Sequence, residues 1–188
     1  MGRLTSEYLH KFSKKYAFIE TGTYQGDTVR TADNYGFKTI HSIEIFQPLY
    51  EQCTETFKND SHITIWQGDS PDVLKEIVPT LTEQSTFWLD AHRSGVLKTP
   101  GSEKYGACPL VDEINAIALS PIKNHVIFAD DQRLFGTPGW DYLQRDDYLN
   151  AILKINPNYV FEYLDGGFSY GKTFPADDII VAYVPEQG

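Results

Sequence analysis

Acidic residues recur in this chain where apolar runs stop. Glu20 closes "YAFIE" (16–20) and is followed by "TGTYQG" (21–26). Glu44 lies in "TIHSIEI" (39–45), and Asp69-Ser70 follows "HITIW" (62–66) within "QGDS". Asp90 closes "STFWLD" (85–90), and Asp130 closes "HVIFAD" (125–130) with Asp131 next to it. A dinucleotide loop would read G-x-G-x-x-G and offer bare helix N–H groups to a pyrophosphate. Here the spacing is acid-x-Gly-x-x-x-Gly, from Glu20 through Gly22 to Gly26. A carboxylate there repels a diphosphate and attracts an ammonium or sulfonium. The ligand expected at this loop therefore has an amino-acid end. Glu44, 18 residues after Gly26, is placed to accept both hydroxyls of a ribose. Asp69 and Ser70 together offer a carboxylate and a hydroxyl to an adenine amino group.

Asp90, Asp130 and Asp131 pose a different problem. Three carboxylates in one cleft repel each other unless a cation or a proton intervenes. All-oxygen ligands of this kind suit Mg²⁺, Ca²⁺ or Mn²⁺ rather than zinc. His92, two positions after Asp90, has an ordinary pKa that suits taking a hydroxyl proton near neutral pH.

These residues need a scaffold that brings strand ends together. Apolar, β-branched and aromatic runs recur at 16–20, 39–45, 62–66, 85–90, 125–130, 159–164 and 178–184, which predicts seven strands. Helical patterns fall between most of them, at 47–57, 70–78, 109–120 and 145–155. In "PLVDEINAIALS" (109–120), Leu110, Ile114 and Ile117 form the apolar face, with Asp112 and Glu113 assigned to the opposite one. Pro109 suits the first turn, and Ser70-Pro71 reads as an N-cap and N1 pair. Alternating strands and helices predict a parallel sheet covered on both faces. The stretch "DGGFSYGKTFPAD" (165–177) has no helical period, so the last two strands are expected to pair as a hairpin and make one edge antiparallel. In such sheets the ligand sits at the carboxyl ends of the strands, where the acids fall.

The chain has 188 residues and a formal charge of −10, with no linker or repeat; a single domain over 1–188 is expected. That charge disfavours nucleic acid as a partner. No apolar run approaches the roughly 18–20 residues of a membrane span, so no membrane partner is expected. Cys53 and Cys108 form no C-x-x-C pair and read as reduced thiols of a cytoplasmic protein.

With these motifs in hand, the chain resembles the class I S-adenosylmethionine-dependent methyltransferases over nearly its whole length. "ETGTYQG" is similar to the family's first motif, "SIEI" to its acidic second-strand end and "QGDS" to its adenine-contacting turn. The resemblance implies a Rossmann-like, seven-stranded, mostly parallel sheet with helices on both faces and a C-terminal antiparallel hairpin. It also implies S-adenosylmethionine as cofactor. Glu20, Thr21, Gly22, Thr23, Gly26 and Thr28 would hold its methionine end, Glu44 its ribose, Asp69 and Ser70 its adenine, with Asp90 beside them. "FWLDAHRSG" and "VIFADDQRLFG" are similar to the metal-dependent O-methyltransferases, catechol and macrolide-sugar enzymes included. That likeness implies a divalent cation, Mg²⁺ first, on Asp90, Asp130 and Asp131, with His92 and Asp90 catalytic. The 40-residue gap from Asp90 to Asp130 and the lack of a substantial N-terminal helical cap depart from the catechol enzymes. The acceptor is therefore left at a small molecule or a sugar, and self-association is allowed. Two other readings stand beside this one: a metal-dependent nucleotide-sugar glycosyltransferase, which Glu20 opposes, and a cofactor-binding protein without catalysis.

The long polar loop 93–108 is expected to act as a lid. Trp140, Tyr142, Phe168, Tyr170 and Phe174 are expected to shape an acceptor pocket.

Overall fold

The computed structural model describes residues 3–92, 101–169, 171–173 and 175–186. Their elements are α1 (Ser6–Phe12), β1 (Ala17–Thr21), α2 (Asp27–Tyr35), β2 (Thr39–Glu44), α3 (Gln47–Thr56), β3 (Ile63–Gln67), α4 (Ser70–Ile77), β4 (Thr86–Leu89), α5 (Leu110–Ile117), β5 (Val126–Ala129), α6 (Arg145–Ile155), β6 (Val160–Leu164), β7 (Phe168–Ser169), β8 (Lys172–Thr173) and β9 (Ile179–Tyr183). Seven strands form one sheet in the order β3-β2-β1-β4-β5-β9-β6. The first five run parallel, and β9 is antiparallel to both neighbours.

Side chains on successive strand positions alternate between two cores, as the period of two requires. Ile19, Ile43, Phe87, Leu89 and Ile127 pack with Leu74 of α4, Ile114 of α5 and Ile152 of α6. Phe18, Ile40, Trp88, Val126 and Phe128 pack with Leu9 of α1, Val29 and Ala32 of α2 and Cys53 of α3. Both faces are covered, so β1, β4 and β5 are buried at every position.

The terminal strands pair as expected and make one edge of the sheet antiparallel: β9, apolar and buried over Ile179–Ala182, inserts between β5 and β6, and the partly exposed β6 takes the edge. Two local expectations need correction. The N-cap of α4 is Asp69, with Pro71 within its first two positions, and the Asp69 side chain makes no capping bond. Glu113 is not on a polar face: it is 1% exposed. It occupies position i+3 of the stripe that starts at Leu110, a position that faces the core in any helix with this period.

Candidate active site at the carboxyl edge of the sheet

Strand order reverses between β1 and β4, both hydrogen-bonded to each other with connections leaving to opposite sides. At such a switch point the loops after the strands part and leave a crevice. Thr21 ends β1, and Gly22 turns the chain with φ +86°. A Cβ at Gly22 would lie 2.6 Å from the Asp90 carbonyl oxygen, so only glycine lets the first loop pass the end of β4 this closely. Gly26, at φ +79°, caps α2 in the same left-handed region.

Glu20 is 1% exposed. Ser42 Oγ donates to its Oε2 at 2.6 Å, Ser42 in turn shares a hydrogen bond of 2.6 Å with Thr23 Oγ1, and Thr28 also bonds Glu20. Burial outweighs these hydroxyls and pushes the Glu20 carboxyl up to about 8. Glu44, at the end of β2, accepts the N–H of Tyr24 at 2.9 Å and that of Phe46 at 2.8 Å. Its carboxyl is also raised, by burial. Asp69 Oδ1 is buried and has no hydrogen-bond partner among the described residues. Ser70 Oγ is engaged with Glu113 Oε1 of α5. Of these three acids, Glu20 and Glu44 are held by hydroxyls or backbone N–H groups, and one oxygen of Asp69 has no partner among the described residues.

The ends of β4 and β5 are arranged differently. His92 Nδ1 lies 3.2 Å from Asp90 Oδ1, and Nε2 lies 2.9 Å from Asp131 Oδ2. Arg133 reaches Asp131 Oδ1 at 2.6 Å and also bonds Asp178, the residue before β9. Burial alone would lower His92, but its contacts with Asp131 and Asp90 override it and hold the ring at about 10. Asp131 responds in kind: burial opposes ionisation, yet His92 and Arg133 hold its carboxyl at about 2. Asp90 and Asp130 are raised, chiefly by burial. The imidazole is therefore held in its charged form between two carboxylates, the Asp90 contact being a charge pair and not a well-aligned hydrogen bond. Acting as a base would require it first to release a proton to one of its carboxylates.

Asp90, Asp130 and Asp131 do lie at neighbouring strand ends, yet the ligand atoms gathered within 4.8 Å form two other trios. These are Asp90–His92–Asp131 and Asp130–Asp131–Asp178. Asp131 belongs to both and holds a left-handed backbone at φ +62°, a conformation that costs a non-glycine residue on the order of 1 kcal/mol or more.

Trp140 is 2% exposed and packs its ring 5.4 Å from His92, with Phe135 edge-on at 5.0 Å. Tyr142 is 63% exposed. The side chain of Phe168, together with Tyr170 and Phe174, lies outside the described residues, as does 93–100 of the expected lid. The rest of that loop is tied down: Lys104 and Tyr105 both bond Asp72 of α4 at 2.6 Å, and the Ala107 N–H donates to Asp141 at 2.7 Å.

Arg133, Asp178 and Glu113 did not stand out in the sequence. Glu113 carried a usable signal, its place in the buried stripe of α5. Arg133 and Asp178 are 45 residues apart, and no local pattern links them. No helix among the described residues is long and apolar enough to cross a membrane.

No protein-family model matches the chain, and no curated protein matches it in sequence. Solved structures do. The O-methyltransferase from Bacillus cereus in complex with SAH has a TM-score of 0.58 at 15% identity, over 90% of this chain and 74% of that one. The 23S rRNA methyltransferase ErmE gives 0.56 at 13% identity, over 97% of this chain and 66% of that one. Spermidine synthase from Thermotoga maritima gives 0.56 at 16% identity, over 90% of this chain and 53% of that one. Likeness at these identities is likeness of fold, and the last name shows that the fold serves more than methyl transfer. The chain has the Rossmann-like fold of the class I S-adenosylmethionine-dependent methyltransferases.

Proposed function

We propose that this protein transfers a methyl group from S-adenosylmethionine to an oxygen of a small molecule or a sugar, with a divalent cation assisting. The observation that carries the reading is Glu20: a carboxylate 1% exposed at the switch point, held by hydroxyls. Burying an acid this way is costly unless a positive group arrives to meet it. The ammonium and sulfonium of S-adenosylmethionine supply that charge. Glu44 would take the ribose hydroxyls through lone pairs its backbone donors leave open, and Asp69 Oδ1 would take the adenine amino group. Bacillus O-methyltransferase bound to SAH supports the cofactor by analogy of fold.

In the transfer, the acceptor oxygen attacks the methyl carbon as the carbon–sulfur bond breaks and its electron pair returns to sulfur. The acceptor's proton must leave, and His92 with Asp90 would handle it, the ring first passing its own proton to Asp90. The carboxylates of Asp90, Asp130 and Asp131 are the donor type a hard divalent cation takes and would hold it, with Asp131 common to both gathered trios and released from His92 and Arg133 to do so. When bound, such an ion supplies positive charge that lowers the pKa of an acceptor hydroxyl. The net charge of −10 favours a small acceptor over RNA.

Titration calorimetry tests this directly. We expect S-adenosylhomocysteine (SAH) to bind and NAD and UDP not to. Glu20→Ala should weaken SAH by about 1.5–3 kcal/mol, the range for a hydrogen bond to a charged group. Mn²⁺ should bind the native chain, and Asp131→Asn should abolish that binding. Absence of SAH binding would remove the cofactor reading, and absence of Mn²⁺ binding would remove the cation alone.

A further inference from the structure

Glu113 is a buried carboxylate that no role above uses. Two hydroxyls meet it: Ser70 Oγ, from the first residue of α4, and Thr21 Oγ1, from the last residue of β1. The Thr21 hydroxyl also accepts the Asp90 N–H at 3.2 Å. One carboxylate on α5 therefore gathers the ends of β1 and β4 and the start of α4. These segments are neighbours of different ends of the crevice. Thr21 leads directly into Gly22 of the first loop, whereas Ser70 follows Asp69 of the third.

Once ionised, which for Glu113 means above about pH 7, a carboxylate accepts from both hydroxyls at once, because it is acceptor-only at every lone pair. An amide has one acceptor oxygen and would turn its NH₂ toward the second hydroxyl. Thr21 Oγ1 already receives the Asp90 N–H, so that hydroxyl is oriented to donate. The site asks for an acid, and burying one without a cation is expensive enough that a fold retaining it gains something specific.

We propose that Glu113 is a positioning residue that sets the span of the cofactor crevice, holding the Thr21–Gly22 loop at a fixed distance from the Asp69–Ser70 turn. The inference rests on the cofactor reading given above. A ligand with two recognised ends gains from both only when their subsites are spaced in advance. Glu113 supplies that spacing and touches neither end of the ligand.

The test is calorimetry with SAH and with adenosine on the native chain, Glu113→Gln, Ser70→Ala and the double variant, with thermal melts of each. SAH affinity should fall on the order of tenfold in Glu113→Gln, the loss expected for one hydrogen bond and its geometry. Adenosine affinity should change by less than about threefold, because one end alone does not sense the span. The double variant should bind SAH no more weakly than the worse single variant, since both break one connection. Should Glu113→Gln fail to fold, Ser70→Ala carries the test, with SAH weakened severalfold, adenosine by less than about threefold and the melting temperature unchanged; an equal loss for adenosine would make Ser70 a direct adenine contact and overturn the proposal. Native-like SAH binding in both single variants overturns the proposal, as do additive losses or an equal loss for adenosine in Glu113→Gln. A native chain that does not bind SAH overturns the cofactor reading instead, and this inference with it.

Discussion

On the β1–β2 side of the site, Glu20 and Glu44 are held by hydroxyls and backbone N–H groups. On the β4–β5 side, Asp90, Asp131 and Asp178 are held by the side-chain cations of His92 and Arg133. Both sides bury acids at the same edge of one sheet, so burial alone does not separate them. Their partners do. Burial raises Glu20 although its hydroxyl bonds pull the other way, and a cation on each oxygen holds Asp131 down; Asp90 and Asp178, each with a single cation contact, stay raised by burial. On the proposed reading the first side receives its positive charge from a ligand, whereas the second carries cations of its own.

Stability should respond most strongly. Arg133→Ala leaves Asp131 and Asp178 buried with that guanidinium gone, and we expect a loss of about 2–4 kcal/mol in denaturant unfolding, somewhat discounted from a fully buried pair because Arg133 is partly exposed. Glu20→Gln in the same assay should be neutral or stabilising, since it removes an acid that no protein cation offsets. Equal costs for the two variants would erase the distinction.

Next in size is the crevice itself. Gly22→Ala puts a methyl carbon 2.6 Å from the Asp90 carbonyl at a backbone angle of φ +86°. We expect a cost of about 1–3 kcal/mol for the strain and the forced shift. SAH binding should be lost more completely than stability, because the shift opens the loop. A variant that binds SAH normally would mean that the β1 and β4 ends need not approach so closely.

The smallest effect is in pH dependence. Glu20, Glu113 and His92 all have folded-state pKa values above their ordinary ones, at about 8, about 7 and about 10. Each folded group holds its proton after the unfolded one has lost it. The stability each contributes is complete below the unfolded value and is lost as pH rises through the folded one. His125, lowered by burial to about 4, opposes them between about 4 and 6.5. Between pH about 6.5 and 8 the raised groups, Glu113 up to about 7 and Glu20 and His92 throughout, act in one direction alone, so the melting temperature of the ligand-free chain should fall. The slope should be on the order of 1 kcal/mol per pH unit per titrating group. Glu20→Gln should flatten it, and saturating SAH should oppose it, by giving the ionised Glu20 a cation. A melting temperature that rises over this window would show that Glu20 meets a protein cation after all.

Much of this was legible in the chain. Apolar, β-branched runs ending in acids located the strands and the edge where the acids gather, because a strand's apolar run and its polar stop are both local properties. Glu20, Glu44, Asp69 and Asp90 could be placed at strand ends for that reason, and Gly22 and Gly26 in the first loop by their spacing alone. The helix over 109–120 was legible too, though Glu113 was assigned to the wrong face. An acid in an apolar stripe looks like a solvated residue until its partners are known.

Those partners come from segments that meet only in the folded chain. Glu113 meets Ser70 from 43 residues away, and Arg133 meets Asp178 from 45. The insertion of β9 between β5 and β6 brings Asp178 to Arg133, and strand order is not encoded in any window of sequence. His92 likewise read as a base from its ordinary pKa, but it lies between two carboxylates brought together by the pairing of β4 with β5. Which residues are acids is a matter of sequence. Whether each acid meets a hydroxyl, a backbone N–H or a cation depends on contacts a few ångströms long between segments distant in the chain, and those contacts set its charge.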